Sequence, residues 1–301
     1  MACPRPFPAL RGTRVVSLAL NLPGPAALMR LRALGARCLK VEPPGPGARP
    51  DGRPIPADPM AQYDRGGYDA MHQGIRVLVI DLKSERGRAR LARELAKADL
   101  LITSFRPSAL AKLGLTWLTL HKAHRQLSMV EIVGAPGARA DEPGHDLTYQ
   151  AEAGLITGAN LPPTLLADMG GALTATEAAL ACLLHARATG KGQHRQIALA
   201  DAAHWLALPR QWGVTLPAGL LGGTHAGYRV YPCQDGRVAL AALEPHFARA
   251  LFAQAGLPPP DARAPFAPAA RQAIAAWAAG KTRRELNALA RRHDIPLFTM
   301  K

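Results

Sequence analysis

The chain has 301 residues and a hydrophobic fraction of 48%, which suffices for a sizeable core in one large domain or two modest ones. Charged residues make up 20%, so the composition excludes an intrinsically disordered chain. The formal net charge of +15 attracts polyanions, and the basic residues either form a solvated surface or meet the phosphates of a nucleotide-like ligand. No aromatic residues interleave with them, so nucleic acid is not an expected partner.

Cysteine spacing and hydropathy favour a cytoplasmic protein without a membrane partner. The four cysteines are widely separated and show no C-x-x-C spacing, so neither a disulfide framework nor a metal site is expected. The first twelve residues lack the apolar core of a signal peptide. No stretch reaches the roughly 18 apolar residues that a membrane span requires.

Short apolar runs alternate with helical patterns over the first 140 residues, which is typical of an open parallel α/β sheet that binds ligands beyond the carboxyl ends of its strands. The predicted elements here are strands at 15–20, 38–42, 77–80, 100–102 and 129–133, and helices at 26–34, at 84–97 and from Pro107. Ser84 is the expected N-cap of its helix. Residues 43–74 are rich in proline and glycine, and they either close over a ligand or wander over the surface.

The best helix pattern of the chain opens its second half, as an alanine- and leucine-rich run that begins at Asp168 and reaches about residue 187. The later predicted elements are a strand at 196–200, a hairpin of 229–233 and 237–243 around Asp235-Gly236, a helix after Pro245, a linker at 257–268 and a final helix from Thr282. Glu285 completes a capping box for that last helix.

Seven short motifs occur in order from about Arg11 to the C-terminus. They are Leu-Pro-Gly-Pro (22–25), Gly-Ala (35–36), Lys-Val-Glu-Pro-Pro (40–44), Asp-Leu-Lys-Ser (81–84), Phe-Arg-Pro (105–107), Leu-Gly (113–114) and Thr-Gly-Lys-Gly-Gln (189–193). Each is weak alone, but together they resemble the class III CoA-transferases, specifically the branch with the 2-methylacyl-CoA racemases. The resemblance implies an α/β fold in which residues 1–200 and 265–301 form a Rossmann-like large domain with a parallel sheet. It also implies a small α+β domain at 201–264 and an interlocked homodimer.

Three segments carry side chains suited to chemistry, at 144–149, 167–171 and 243–245. Transferases of this family usually carry a tyrosine where this chain has His145, and they use the later aspartate as a nucleophile. The racemases have histidine there and a glutamate in a segment like 243–245. The resemblance therefore implies that His145 and Asp168 are two catalytic bases, with Glu244 of the partner setting the tautomer of the histidine.

The chemistry of such a pair is plausible on its own terms. A hydrogen α to a thioester carbonyl is weakly acidic, and inversion of that carbon needs one group to remove the proton and another to return it on the opposite face. A helix N-terminus favours Asp168 as an anion. The structural alternatives are an ordinary helix start at His145-Asp146, a plain N-cap at Asp168 and a surface position for Glu244.

The resemblance also implies where coenzyme A binds. The residues implied are Asp81, Leu82, Lys83, Ser104, Phe105, Arg106 and Lys112 at the nucleotide end, with Gly144 and Tyr149 beside the catalytic pair. No tightly bound cofactor is expected, because coenzyme A enters as part of the acyl-CoA substrate. The leading function is an acyl-CoA racemase or epimerase. The alternatives are a CoA-transferase with Asp168 as its nucleophile and a non-catalytic CoA-binding protein.

Overall fold

The structure, a computed structural model, describes residues 8–48, 51–52 and 54–301. The chain divides into two compact units, Met1–Ala207 and Leu208–Lys301. Residues 1–7, on which the predicted absence of a signal peptide partly rests, lie outside the described residues. None of the helices in the described part of the chain combines the length and apolar character that a bilayer crossing requires.

Eleven strands and twelve α-helices make up the described parts of the two units. The strands are β1 (Arg14–Ser17), β2 (Arg37–Glu42), β3 (Pro44–Ala48), β4 (Pro54–Pro56), β5 (Arg76–Val79), β6 (Leu100–Thr103), β7 (Ser128–Val133), β8 (His194–Ala198), β9 (Tyr228–Cys233), β10 (Gly236–Ala241) and β11 (Leu297–Met300). The helices are α1 (Pro23–Ala33), α2 (Met60–Tyr63), α3 (Arg65–Met71), α4 (Glu85–Leu95), α5 (Pro107–Leu113), α6 (Trp117–Ala123), α7 (Asp146–Glu152), α8 (Leu166–Thr189), α9 (Leu199–Gln211), α10 (Pro245–Gln254), α11 (Pro268–Ala279) and α12 (Arg283–His293).

The first unit is built around a six-stranded sheet in the order β5-β2-β1-β6-β7-β8, and every strand pair in it is parallel. The chain first builds outward from β1 through β2 to β5 and then returns to the other side of β1 with β6. The order therefore reverses between β1 and β6, which is the switch point where open α/β sheets form a ligand crevice. The predicted α/β class with a parallel sheet is confirmed.

Both faces of this sheet are buried, as the apolar sequences of its strands predict. On β6, Leu100 and Ile102 join a core with α1, α8 and α9, whereas Leu101 joins a second core with α4, α5 and α6. The alternation follows from the period of two in a strand. The five predicted strands and the Ser84 cap are confirmed within a few residues, and Ser84 Oγ accepts the N–H of Gly87 at 3.0 Å.

The proline- and glycine-rich segment at 43–74 is not structureless. It holds the antiparallel pair of β3 and β4 and the short helices α2 and α3. Tyr68 and His72 at its end are buried. The segment is therefore anchored in the first unit, where Asp58 contacts Lys40 and Tyr68 donates to Glu42.

The second unit has a three-stranded antiparallel sheet in the order β11-β10-β9, with α10, α11 and α12 contributing to one core. The hairpin around Asp235-Gly236 and the α+β character are as predicted. The expected return of residues 265–301 to the large domain is not what the structure shows. β11 pairs with β10, and Ile274 and Leu286 bury their side chains in the same core as Val238. The apolar faces of α11 and α12 account for this difference.

Candidate active site

A cavity of about 160 Å³ lies at the switch point of the parallel sheet. Its walls come from the segments that follow β1, β6 and β7 and from the starts of α7, α8 and α9. The lining includes Leu20, Asn21, Ser104, Phe105, Arg106, Gly134, Glu142, Gly144, His145, Tyr149, Asp168 and Leu199. Both predicted bases thus line one cavity at the carboxyl ends of the strands.

His145 is the N-cap residue of α7 and is exposed. Its backbone N–H donates to Thr148 Oγ1 at 3.2 Å, and its carbonyl accepts the N–H of Thr148 at 2.9 Å. Thr148 therefore holds the start of the helix. The helix start expected as a structural alternative is real, and it also presents His145 at the cavity wall.

Asp168 is the third residue of α8, not its N-cap as the sequence suggested, because the helix begins two residues earlier at Leu166. Burial raises the pKa of its carboxyl to about 7, and the nearby carboxylate of Asp146 adds to the rise. The first turn of a helix favours the anion, but here desolvation outweighs that effect. At neutral pH both the neutral and the ionised form of Asp168 are populated.

Asp146 links the two predicted bases and was not singled out as a functional residue by the sequence. Its Oδ1 accepts the backbone N–H of Asp168 at 3.0 Å, and its Oδ2 accepts Nε2 of Gln150 at 2.5 Å. Gln150 also donates to the carbonyl of Thr164 at 3.2 Å. The N-cap residue of α8 is Leu165, which has no polar side chain, so Asp146 satisfies an N–H at this helix start from 22 residues away. Such a long-range cap leaves no local sequence signal.

Tyr149 forms a buried wall of the cavity and explains two glycines. A Cβ at Gly134 would lie 2.0 Å from Tyr149 Oη, and one at Gly144 would lie 2.4 Å from the same atom. Only glycine at both positions leaves room for the phenol. Burial raises the pKa of the Tyr149 hydroxyl, and the Asp168 carboxylate raises it further.

The predicted CoA-binding residues fall into two groups. Ser104, Phe105, Arg106, Gly144 and Tyr149 line the cavity with His145 and Asp168, whereas Asp81, Leu82, Lys83 and Lys112 do not. The Asp81–Lys83 turn follows β5 at the same carboxyl edge, where the N–H of Lys83 donates to Asp81 Oδ1 at 2.9 Å. Leu82 instead packs against the core that contains α4 and α5. The turn after β6 is therefore the part of the predicted CoA site that meets the cavity.

Arg106 and Lys112 lie near a common carboxylate outside the cavity. Hydrogen bonds from Ser108 lower the pKa of Asp141, and the charges of Arg106 and Lys112 lower it further. Both cations are exposed. Exposed cations beside the mouth of a cavity are suited to a phosphorylated ligand.

The loop after β1 is held in place by groups that come from distant parts of the chain. Asn21 has a φ of 63°, and its N–H donates to Asp58 Oδ1 at 3.1 Å. The N–H of Leu20 donates to Ser104 Oγ at 3.2 Å. Asp58 lies between β4 and α2, so the segment at 43–74 contributes to the wall of the cavity through this contact.

Behind Asp58 lies a fully buried cluster of charges. Lys40 Nζ contacts the Asp58 carboxylate, Glu42 Oε1 at 3.2 Å and His72 Nε2 at 2.9 Å. His72 Nδ1 lies 2.6 Å from the carbonyl of Tyr68 and must donate to it, so Nε2 is free to accept from the ammonium. Burial and the Lys40 charge lower the pKa of His72, which agrees with a neutral ring.

This cluster has the spacing of a metal site. One ligand atom from each of Glu42, Asp58 and His72 lies within 4.8 Å of the others, and all three residues are buried. Lys40 Nζ is in contact with all three side chains. The lysine ammonium therefore takes the place that a metal cation would need.

Glu244 lies in the second unit, where it is the N-cap residue of α10 and is exposed. Its side chain does not cap the helix. An exposed position is compatible with the surface alternative and with the predicted contact to a partner chain.

Proteins from bacteria and mammals are similar to this chain in sequence. A succinate–glutarate CoA-transferase of Agrobacterium fabrum is 31% identical over 256 residues, which cover 79% of this chain and 64% of that protein. An alpha-methylacyl-CoA racemase of Homo sapiens is 30% identical over 267 residues, which cover 83% of this chain and 65% of that protein. Across four such relatives the chain spans between 50% and 65% of their length.

Solved structures share the fold. A CAIB/BAIF family protein from Brucella suis superposes with a TM-score of 0.73 at 25% identity, over 97% of this chain and 84% of that chain. A hypothetical protein from Mycobacterium tuberculosis superposes with a TM-score of 0.78 at 24% identity, over 98% and 86% of the two chains. A model of CoA-transferase family III matches residues 10–301, and the chain therefore belongs to this family.

Proposed function

We propose that the chain catalyses proton transfer at the carbon α to an acyl-CoA thioester, as a racemase or epimerase, with His145 and Asp168 as its two bases. The observation that carries the proposal is that both side chains line one cavity at the switch point of the sheet. Inversion of the α carbon requires two proton-accepting side chains at one cavity, one to remove the proton and the other to return it on the opposite face. The named racemase relative agrees with this activity.

In the proposed reaction one base removes the α hydrogen as a proton, and the C–H electron pair moves into the thioester to give an enolate. The conjugate acid of the other base then returns a proton to the opposite face of the same carbon. The enzyme ends each turnover with its proton moved from one base to the other. Asp168 suits both halves of this cycle, because a pKa of about 7 populates its neutral and ionised forms at neutral pH.

Coenzyme A enters with the substrate. We place its phosphates near Arg106, which lies at the cavity and follows β6. Lys83 and Lys112 are the further cations of the proposed nucleotide site, with Phe105 beside the adenine. The exposure of all three cations leaves their charges available to phosphates.

CoA transfer between a thioester and a carboxylic acid is the second candidate, and the named transferase relative favours it. There Asp168 would attack the thioester carbonyl as a carboxylate and expel the CoA thiolate, giving a mixed anhydride. A nucleophile works as the anion, whereas burial raises the pKa of Asp168 to about 7 and so disfavours its anionic form. This difference, together with His145 in the same cavity, favours proton transfer.

We also propose that the chain acts as a homodimer in which Glu244 of the partner subunit sets the tautomer of His145. Large apolar side chains on the first unit support an interface. Met169, Leu173 and Leu184 on α8 and Trp205 on α9 are 42% to 70% exposed. Exposed apolar groups of this size are typical of surfaces that a partner covers.

Solvent deuterium distinguishes the candidate functions. The protein is incubated with a 2-methylacyl-CoA in D₂O, and the α position is read by mass spectrometry and NMR. Proton transfer predicts incorporation of one deuterium at the α carbon without a second substrate. Retention of the α hydrogen, together with trapping of an Asp168 adduct by hydroxylamine, would instead assign CoA transfer. Binding of acyl-CoA with neither result would assign a non-catalytic protein.

A further inference from the structure

Three adjacent strands of the parallel sheet begin with an arginine. β1 begins at Arg14, β2 at Arg37 and β5 at Arg76. In the register of the sheet Arg14 pairs with Arg37, and Arg76 lies opposite Leu39. Because parallel strands start at the same edge, the three arginines form a row at the edge opposite the candidate active site.

A cavity of about 510 Å³ opens at this edge. Its wall holds five cationic side chains, which come from Arg14, Arg32, Arg37, Arg76 and Lys97. Among the residues that the structure describes, Glu94 contributes the only carboxylate of the lining. Across the described residues none of the five cations takes part in an ion pair. The wall therefore carries a large excess of uncompensated positive charge.

Two of the five cations have a local electrostatic reason for their position. Arg32 lies in the last turn of α1, and Lys97 follows the end of α4, where the partial negative charge of a helix C-terminus favours a cation. Near Arg14, the Asp99 carboxylate accepts its backbone N–H at 2.7 Å. Arg37 and Arg76 have neither a helix end of their own nor a carboxylate partner among the described residues, so their charges are available to a ligand.

One glycine leaves room for Arg32, the least exposed of the five cations. A Cβ at Gly74 would lie 2.0 Å from Nη2 of Arg32, and Gly74 has a φ of 71°. The left-handed conformation favours glycine, and the missing Cβ leaves room for the guanidinium in this position. The guanidinium of Arg32 therefore rests against bare backbone, and it is less exposed than the arginines that begin the strands.

We propose that this cavity binds a small oligophosphate anion, either free or carried by a nucleotide. The guanidinium of an arginine can donate hydrogen bonds to two phosphate oxygens at once. The cavity volume is within the range of small-molecule sites, about 300–1,000 Å³. Within the described ranges no aromatic side chain lines the cavity, so these residues offer no stacking platform of the kind that single-stranded nucleic acid needs.

The site is separate from the one proposed for acyl-CoA, and the two proposals are independent. The strands between the two edges have four to six residues. At about 3.3 Å per residue the edges are roughly 13–20 Å apart. Ligand bound among the strand-initial arginines therefore does not touch His145 or Asp168.

Calorimetric titration of the full chain with inorganic tripolyphosphate, at about 0.1 M salt, tests the proposal. Arg37→Ala combined with Arg76→Ala is expected to weaken binding roughly tenfold or more, since two charge-assisted contacts together contribute at least that factor. The matched control combines Arg291→Ala with Arg292→Ala, which removes the same charge from α12. Arg106→Ala tests for binding at the candidate active site.

Weaker binding by the R37A/R76A variant, with unchanged binding by both the control pair and R106A, supports the proposal, and unchanged binding by the R37A/R76A variant would overturn it. Equal weakening in the two double variants, or loss of binding in R106A, would overturn it. ATP separates the two sources of the anion, because affinity equal to that of tripolyphosphate assigns the phosphate chain, and tighter binding assigns a nucleotide. Hydrogen exchange of the unmodified chain gives a second readout that does not depend on variants folding. Tripolyphosphate is expected to protect residues 35–37 and 73–76, and protection confined to residues 104–106 would contradict the assignment.

Discussion

At the scale of single residues, the ionised form of Asp168 that would accept a proton in the proposed reaction is also the form that lowers the stability of the fold. Burial and the Asp146 carboxylate raise its pKa from 3.8 to about 7. The folded protein therefore holds a proton that the unfolded chain releases between these two pH values. Stability falls as the pH rises through this window, because the folded state binds more protons there than the unfolded state. A carboxyl group whose pKa is raised by burial and by a neighbouring carboxylate is typical of catalytic sites.

Asp168→Asn is expected to remove this pH dependence. The variant should match the original chain in stability near pH 4 and exceed it at pH 8 by on the order of 2 kcal/mol, a figure discounted for the partial exposure of the carboxyl. Urea unfolding at the two pH values measures the difference.

Asp201→Asn is the control for that substitution, because Asp201 occupies the first turn of α9 and is exposed. It should bring no gain at pH 8. Equal effects of the two substitutions would show that Asp168 ionises without penalty in the fold.

The sequence pointed to His145 and Asp168 as functional residues, but not to Asp146, which begins α7 and contacts the start of α8. A glycine-histidine pair and an aspartate before an alanine-rich run are local patterns, and the family resemblance added to them. Asp146 is different, because its partner N–H belongs to Asp168, 22 residues later in the chain. Only the packing of α7 beside α8 brings the two together.

At the scale of elements, the strands of the first unit were predictable because each is a short apolar run between turn residues. The capped helices α4 and α12 were predictable because Ser84 and Thr282 accept bonds from their own first turns. The segment at 43–74 was not, because its order depends on buried charges of β2. Lys40 and Glu42 lie in an apolar strand and attract the groups of this segment.

Lys40→Met is expected to destabilise the protein by about 3–5 kcal/mol, because it leaves the buried carboxylates of Glu42 and Asp58 without a cation. Thermal or urea unfolding measures the loss. Adding Asp58→Asn should recover part of it, since the amide oxygen can still accept from Asn21. Arg65→Met, which removes an exposed pair with Asp69, is the control and should leave stability nearly unchanged.

A stable Lys40→Met protein with an intact fold would contradict the role given to the cluster. If it folds but the wall at Asn21 moves, acyl-CoA binding should weaken with it, because Asp58 holds that backbone N–H.

At the scale of the whole molecule, the second unit has a core that shares no residue with the two cores flanking the sheet of the first unit, and the sequence-based prediction placed the boundary elsewhere. Residues 265–301 read as a linker and a helix, without a signal for the sheet they join. The strand β11 pairs with β10 at a separation of more than fifty residues, and α11 lies within the stretch between them. Pairing over such distances depends on which apolar faces meet, which local patterns do not encode.

The proposed dimer makes the exposed apolar side chains of α8 and α9 an interface. Leu173→Glu combined with Trp205→Glu should shift the chain toward monomer in sedimentation velocity, because burying the new carboxylates is costly. Leu118→Glu on α6, where the side chain is also exposed, is the control and should leave the association unchanged. A chain that is monomeric at every concentration before any substitution would rule out the dimer.

The two-base proton transfer is tested most directly by following deuterium exchange on each stereoisomer of a 2-methylacyl-CoA separately, with the original chain and with His145→Ala and Asp168→Asn. The original chain is expected to exchange and interconvert both isomers. Each variant should stop interconversion, and each should keep exchange on one isomer only, with opposite preferences, because each retains the base on one face. Loss or retention of exchange on the same isomer in both variants, or interconversion that survives either substitution, would contradict the assignment of His145 and Asp168.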